Sequence, residues 1–223
     1  MRLLDLFCGA GGCSVGYHRA GFTHVVGVDN RPMPRYPFEF VQGDALEYLA
    51  EHGHKFDAIH ASPPCQAHSI ITPNAAKHPD FIPETRSLLE LCRKPWVIEN
   101  VKGAARSMQS PIELCGNMFG LKVYRHRLFE CSCGILAPAH PPHREPCPKA
   151  GRQANAKRRS GTYGMSEKGF VCVTGHFSGI DYCRDAMGIA WMNGPELAQA
   201  IPPAYTEFIG RQLIDVIRNR GDL

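Results

Sequence analysis

The chain opens with a short apolar run that ends in a glycine-rich turn. Residues 2–7 predict a strand, glycines follow at positions 9, 11 and 12, and the segment through Ala20 has helical character. Glycines at a strand end allow a ligand to approach the backbone closely, and the helix behind them offers its first N–H groups. This opening favours an α/β fold with a cofactor beside its first strand.

Two acidic residues follow later predicted strands. Asp29 ends the run that begins at His24, about twenty residues after the glycine turn, where a ribose hydroxyl pair is commonly held. Asp44 follows the apolar stretch at residues 38–41 and can accept a hydrogen bond from an adenine amino group. It can also cap a helix predicted over residues 45–52, and the two roles are compatible.

Cys65 stands directly behind a double proline that ends another apolar run, residues 56–61. Pro63 and Pro64 exclude continuation as a helix or as a central strand, so Cys65 is expected at the carboxyl edge of the sheet, where open α/β sheets bind ligands. Taken alone, the same pattern also fits a buried structural cysteine.

Several segments resemble successive motifs of the cytosine-5 DNA methyltransferase family, and they occur in the family's order. They are residues 5–12, 63–66, 99–101 and 125–129, with a closing motif at 198–210. The resemblance implies a doubly wound, Rossmann-like class I methyltransferase fold with a small irregular target-recognition insert. It also implies transfer of a methyl group from S-adenosylmethionine to carbon 5 of cytosine in DNA.

The resemblance further implies catalytic roles for four residues. Cys65 would add to carbon 6 of a flipped-out cytosine, and Glu99 would hold a proton against ring nitrogen 3. Arg125 and Arg127 are predicted to alternate along an extended segment and share one face, with Arg127 contacting the base. The alternatives are a salt-bridged carboxylate for Glu99 and a solvated strand face for the arginines.

The predicted binding residues fall into two groups. The S-adenosylmethionine site is predicted to comprise Phe7, Gly9, Ala10, Gly11, Gly12, Asp29, Asn30, Asp44, Ala45 and Pro63. The segment 66–83 lacks periodicity and is predicted to close over nucleic acid, with Gln66 and Ser69 as contacts. His68 stands where the family usually has an aromatic residue, and Val123 where it usually has glutamine, so substrate contacts differ there.

Composition changes after Glu130, which predicts a catalytic domain of residues 1–130 plus 184–223 and a target-recognition insert at 131–183. Four basic residues of the insert are predicted to lie along DNA phosphates, although a solvated loop explains them equally well: Arg152, Lys157, Arg158 and Arg159. So short an insert predicts a recognition site of roughly two to four base pairs.

The insert is also rich in cysteine and histidine. A structural zinc site is one interpretation and a reduced cysteine-rich loop is the other, with Cys131, Cys133, Cys147 and either His140 or His143 as candidate ligands. The remaining cysteines are interpreted as packing residues, among them Cys92, Cys115, Cys172 and Cys183.

The overall composition sets outer bounds. The chain has 223 residues, ten cysteines and a formal net charge of +4, which suits one sizeable reduced core and contact with phosphate over one face. No apolar run approaches the ~20 residues of a membrane span, so a cytoplasmic monomer is expected, with a cognate restriction endonuclease as a candidate partner. Three rival functions stay open. The chain could methylate RNA, it could methylate a free nucleotide or use a modified donor, or it could be a catalytically silent DNA-binding module.

Overall fold

The computed structural model describes residues 1–69, 72–147 and 169–221. Its centre is a sheet of seven strands in the order β3-β2-β1-β4-β5-β7-β6. The strands are β1 Arg2–Leu6, β2 His24–Asp29, β3 Glu39–Gln42, β4 Ala58–Ala61, β5 Trp96–Asn100, β6 Ile112–Leu114 and β7 Arg127–Cys131. The first five are parallel, whereas β7 runs antiparallel to β5 and β6 antiparallel to β7. The predicted α/β fold is confirmed.

The described helices are α1 Gly12–Ala20, α2 Ala45–His52, α3 Ile82–Cys92, α4 Ile180–Met187, α5 Gly194–Gln199 and α6 Pro203–Gly221. Short 3-10 turns occupy Gly53–Lys55, Ala75–Lys77, Lys102–Arg106 and Gly116–Phe119. The helix predicted over residues 45–52 and the helical character predicted through Ala20 are both confirmed. Within the described part of the chain, no helix is long and apolar enough to cross a membrane.

Helices cover both faces of the parallel part of the sheet, as near-continuous apolar strands require. On one face, Leu4 of β1 packs with Leu49 of α2 and Leu89 of α3. On the other, the neighbouring Leu3 packs with Tyr17 of α1 and with the apolar side of α6. Since successive side chains of a strand point to opposite faces, β1 anchors both layers.

The strand order reverses direction at β1, which lies between β2 and β4. Leu6 of β1 is in register with Val28 of β2 and with Ala61 of β4. The carboxyl ends of these strands are therefore neighbours, and the crevice outside such a reversal is where open α/β sheets bind ligands. The glycine turn, Asp29 and Cys65 all follow these strand ends.

A third apolar cluster joins the chain on both sides of residues 148–168. Val171 donates its N–H to the carbonyl of Lys122, and its side chain packs with Val123 and with Cys183 of α4. The predicted domain boundary between residues 183 and 184 falls within α4, and the division into two domains stays a prediction. The predicted phosphate-binding residues Arg152, Lys157, Arg158 and Arg159 lie outside the described residues.

Candidate active site

The glycine turn between β1 and α1 is tied to Asp29 at the end of β2. The N–H of Gly9 donates to Asp29 Oδ2 at 3.0 Å, and the N–H of Arg31 donates to Oδ1 at 3.1 Å. Phe7 and Gly9 have positive φ angles of 57° and 50°, which bend the backbone sharply after β1. Asp29 is thus oriented by backbone groups, and each carboxylate oxygen keeps lone pairs for a further donor.

Two glycines of this turn border different surroundings. A Cβ at Gly9 would meet no atom within 4 Å, whereas a Cβ at Gly12 would lie 2.4 Å from the carbonyl oxygen of Ile201. Gly9 therefore faces open space beside Asp29, while Gly12 is required by the close approach of the carboxy-terminal segment. Trp191, which the sequence interpretation missed, donates its indole N–H to the carbonyl of Ala10 at 2.7 Å.

The other predicted cofactor residues follow neighbouring strands. Asp44 caps α2, and its Oδ1 accepts the N–H groups of Leu46 and Glu47. Because both cap bonds use one oxygen, a contact from Oδ2 to an adenine amino group remains compatible with capping. Ala45 is buried under this cap, and the carbonyl of Asn30 accepts a bond from a side chain of β3.

Cys65, Glu99 and Arg127 come together at the carboxyl edge. Asn100 at the end of β5 donates to the carbonyl of Pro63 at 3.0 Å, which fixes the loop that carries the half-buried Cys65. Glu99 is 6% exposed, and its Oε1 lies 3.0 Å from Nε of Arg127 on the adjacent strand β7. Burial raises the pKa of the Cys65 thiol, the Glu99 carboxylate raises it further, and Arg127 opposes both.

Burial also raises the pKa of Glu99, and Arg127 and a hydrogen bond from Ser62 oppose that rise. A chain of hydrogen bonds runs inward from Ser62. Its hydroxyl lies 3.0 Å from Nε2 of His60, and Nδ1 of His60 lies 2.9 Å from the hydroxyl of Tyr17. Burial lowers the pKa of His60 to about 3, so its imidazole is neutral. A buried polar chain therefore supports Glu99 from below, and the histidine inside an apolar strand was its one sequence signal.

Arg125 differs from the extended, one-face arrangement predicted for the arginine pair. Its φ is 34°, and β7 begins only at Arg127, so the two side chains do not alternate along one strand. The Arg125 guanidinium donates to the carbonyls of Val173 and Ala198 at 2.6 and 2.8 Å. Burial, followed by repulsion from Arg127, lowers its pKa to about 9. Arg125 thus holds the returning segments together.

The segment behind Cys65 begins with a turn. Gln66 is exposed directly after the thiol, and Ser69 is partly buried. His68 pairs with Asp80 at 2.9 Å, and its carbonyl packs where a Cβ at Gly103 would otherwise lie. This contact joins the segment to the loop behind β5.

Of the ligands predicted for zinc, the structure places both histidines, His140 and His143, in a possible metal-binding group, but none of the three cysteines. Cys131 and Cys133 pack in the apolar layer beneath α6, and Cys147 forms a hydrogen bond with Cys172. The ten cysteines are all among the described residues, and no disulfide joins any of them. Among the described residues, one group of side chains could hold a metal ion: Cys115, His126, His140 and His143. Cys115 had been interpreted as a packing residue.

Known proteins resemble this chain in sequence and in fold. The model of a family described as C-5 cytosine-specific DNA methylase matches residues 1–112, half of the chain. The type II methyltransferase M.AquIA of Picosynechococcus is 31% identical over 170 residues, which are 60% of this chain and 66% of the relative. M.XorII of Xanthomonas oryzae is 35% identical over 118 residues, which are 45% of this chain and 28% of the relative.

The chain therefore spans less than two thirds of these two relatives. A similar solved structure is that of the Entamoeba histolytica methyltransferase EhMeth, with a TM-score of 0.62 over 97% of this chain and 98% of the other. The identity in that alignment is 12%, so the likeness concerns the fold.

Proposed function

Because the chain belongs to the C-5 cytosine-specific DNA methylase family, we propose that it transfers a methyl group from S-adenosylmethionine to carbon 5 of cytosine in DNA. One observation carries the proposal. A half-buried cysteine and a buried glutamate paired with an arginine meet at the sheet edge, one strand away from a glycine turn that borders open space. Open α/β sheets hold their ligands at this edge.

The residues around the glycine turn fit the cofactor. Open space beside Gly9 leaves room for a ligand, and Asp29 is oriented by two backbone N–H groups so that it can accept ribose hydroxyls. Asp44 Oδ2 would accept from the adenine amino group, and Phe7, Ala10, Gly11, Asn30, Ala45 and Pro63 would complete the surroundings. S-adenosylmethionine supplies an electrophilic methyl group when it is bound there.

Cys65 would act as the nucleophile that activates cytosine. Carbon 5 of cytosine is a poor nucleophile, and addition of the Cys65 thiolate to carbon 6 converts the ring into an enamine-like adduct. The raised pKa of the thiol keeps it protonated in the free enzyme, so its proton would pass to water as the sulfur–carbon bond forms. Once carbon 5 has taken the methyl group and the donor has left as a neutral thioether, release of the carbon 5 proton to water would let the thiolate depart and restore the double bond.

Glu99 would protonate ring nitrogen 3 while the adduct forms. A carboxyl group with a raised pKa keeps a proton more readily at neutral pH, and burial raises the pKa of Glu99. Arg127 holds Oε1 and Ser62 donates a hydrogen bond to the same carboxyl group, so both would orient Glu99 toward the base. In this arrangement Arg127 orients the acid and neutralises its charge after proton transfer, and its remaining N–H groups can reach the base carbonyl. Arg125 acts by positioning, since backbone carbonyls occupy its terminal nitrogens.

DNA contacts would come from the loop behind Cys65 and from the insert. The target base must leave the stack before Cys65 can attack carbon 6. Gln66 is exposed directly after Cys65, and it and the partly buried Ser69 would contact the flipped nucleotide. The basic residues 152 and 157–159 would hold phosphates. The type II names of the two relatives support a cognate restriction endonuclease as partner. Residues 131–183 would form the target-recognition unit.

The decisive experiment is incubation with S-adenosylmethionine that carries a labelled methyl group, separately with duplex DNA, tRNA and dCMP, followed by nucleoside analysis. We expect labelled 5-methylcytosine from duplex DNA and none from the Cys65→Ser variant. If only tRNA or dCMP becomes labelled, that substrate and not DNA is the acceptor. If no substrate becomes labelled, the result supports the catalytically silent alternative.

A further inference from the structure

A group of one thiol and three imidazoles lies on the antiparallel side of the sheet, outside the proposed active site. Its members come from three parts of the chain. Cys115 follows β6, His126 precedes β7, and His140 and His143 belong to the proline-rich segment behind β7. Hereafter these four residues are called the thiol–imidazole cluster. They are separated by up to 28 positions in sequence, so only the fold brings them together.

Two atom pairs of the cluster lie at nearly the spacing of a tetrahedral metal site. Cys115 Sγ lies 3.2 Å from His143 Nε2, His126 Nε2 lies 3.2 Å from His140 Nε2, and all four ligand atoms are within 4.8 Å of one another. Zinc bound at about 2.0–2.1 Å to nitrogen and about 2.3 Å to sulfur would set tetrahedral edges of roughly 3.3–3.6 Å. Small shifts of exposed side chains would complete that geometry.

The surrounding protein orients the ligands before any ion binds. Tyr124 stacks on the His143 ring with centroids 3.6 Å apart, and its hydroxyl donates to the carbonyl of Glu145 at 2.7 Å. Cys115 is fully buried and presents its sulfur to the cluster. Glu113 lies 3.5 Å from His126 Nε2, and Lys102 pairs with the same carboxylate oxygen at 2.9 Å, which balances its charge.

Hydrogen bonding alone explains the thiol–imidazole cluster less well than a bound cation does. A neutral imidazole has one donor and one acceptor, so a thiol and three rings can form a few weak pairs. Those pairs give no reason for two exposed histidines of an irregular segment to converge on a buried thiol. A cation at the centre gives that reason, since it accepts a lone pair from every member at once.

We propose that the thiol–imidazole cluster binds a structural zinc ion. Thiolate and imidazole ligands together favour zinc over magnesium or calcium, which prefer oxygen. Four protein ligands close the coordination sphere, as in structural zinc sites. Binding would release the thiol proton of Cys115 to solvent and leave the imidazoles neutral.

The zinc would fasten the proline-rich segment to the edge of the active site. Residues 132–147 contain no helix or strand, and His126 stands between Arg125 and Arg127 in the chain. An ion that holds His126, His140 and His143 together would fix both the start of β7 and the segment leading toward residues 148–168. This inference concerns architecture and stands independently of the reaction that the chain catalyses.

The test measures metal in the full chain, purified without a histidine tag. After dialysis, mass spectrometry of the metals should find about one zinc per chain. The double variant His140→Gln/His143→Gln, which changes exposed side chains, should lose most of that zinc. Two matched controls should keep it: Cys133→Ser, from the zinc set that the structure does not assemble, and the distant exposed His54→Asn.

Cobalt replacement identifies the ligands directly. Protein stripped of zinc and loaded with Co²⁺ should show the intense d–d absorption of tetrahedral cobalt together with a thiolate-to-cobalt charge-transfer band, which Cys115→Ser should remove. If that variant does not fold, the spectrum of the unaltered chain and the zinc content of the double-histidine variant decide the question. Substoichiometric zinc with no tetrahedral cobalt spectrum, or zinc retained by the double variant, would overturn the proposal.

Discussion

The active-site edge and the thiol–imidazole cluster meet at consecutive residues, yet they are built differently. Arg127 opens β7 and reaches Glu99 on the paired strand β5, so strand pairing holds both partners. His126 belongs to a cluster whose other histidines come from a segment without regular structure. Strand pairing by itself positions the buried ion pair, whereas the loop histidines are held by stacking and hydrogen bonds to which the proposed zinc would add a common centre. If this is correct, each site can be disabled without dismantling the other.

The largest expected effect follows from Cys65→Ser. A serine hydroxyl is a far weaker nucleophile at neutral pH and occupies similar space, so methyl transfer to DNA should fall by roughly 10⁴-fold or more. Cofactor affinity and zinc content should match those of the unaltered chain. Cys92→Ser, a half-buried cysteine at the end of α3, is the matched control. Substantial residual turnover would refute the covalent mechanism.

Glu99→Gln should slow single-turnover methyl transfer by roughly 10²-fold or more, because the amide cannot give a proton to ring nitrogen 3. The amide oxygen can still accept from Arg127, so DNA affinity and metal content should change little. Rapid quench measures the rate of methyl transfer and equilibrium binding measures DNA affinity, and one preparation serves for both. An equal loss of binding and rate would identify Glu99 as a structural carboxylate instead.

Removal of zinc should affect stability more than chemistry. Treatment with a chelator should lower the thermal midpoint by roughly 5–15 °C, since a tightly bound ion stabilises the folded state, and should reduce methyl transfer by less than about tenfold. Calorimetry and the methylation assay measure the two effects. The His140→Gln/His143→Gln variant should respond to the chelator far less. Complete loss of methyl transfer at an unchanged midpoint would contradict the separation of the two sites.

The buried Asp5 carboxyl beneath the glycine turn should make the stability of the fold depend on pH. Burial raises its pKa to about 7, against about 3.9 for an unfolded chain, and a hydrogen bond from Ser14 opposes that rise. The folded state therefore holds the proton more tightly, so the stabilising contribution of Asp5 is fully present below about pH 4 and is lost as the pH rises to about 7.

The Asp5→Asn variant should consequently gain stability relative to the unaltered chain between pH 5 and pH 8. Urea unfolding at both pH values measures the difference, and Asp215→Asn at an exposed position of α6 should show almost none. A constant difference between Asp5→Asn and the unaltered chain across this range would mean that Asp5 stays ionised in the fold.

The smallest effect is expected from Ser62→Ala. The hydrogen bond from Ser62 lowers the pKa of Glu99, so its removal should move the Glu99 limb of the pH–rate profile upward with only a few-fold change in the maximal rate. Ser62→Thr keeps the hydroxyl and should restore the profile. If the variants lose rate without any shift of the limb, Ser62 acts only through packing.

The first four strands and the first two helices were predictable because each has a local signal. Apolar runs of strand length end within one residue of the ends of β1, β2, β3 and β4. Cys65 and Glu99 were predictable for the same reason, since parallel strands bring their carboxyl ends to one edge whatever the details of packing. What the sequence did not reveal was which side chains face each other across unrelated segments.

Arg125 and Arg127 show where prediction from the sequence stops. Their spacing looks like strand alternation, but the positive φ of Arg125 turns its guanidinium toward carbonyls of the returning segments, and no local pattern announces these partners. Nearness in sequence predicts metal ligands within the cysteine-rich insert. The structure groups two histidines of that insert with Cys115 and His126 from outside it, because β6 and β7 pair and carry these two to the same place.

By itself, the sequence determined the order of the first strands and helices, the family and the edge of the sheet where chemistry is expected, since each depends on short-range pattern and on parallel pairing. The tertiary structure alone decided that Ser62, His60 and Tyr17 support Glu99, that Trp191 reaches the glycine turn, and that a thiol and three imidazoles converge. Such contacts depend on how distant segments pack, and a one-dimensional pattern carries no distance between them.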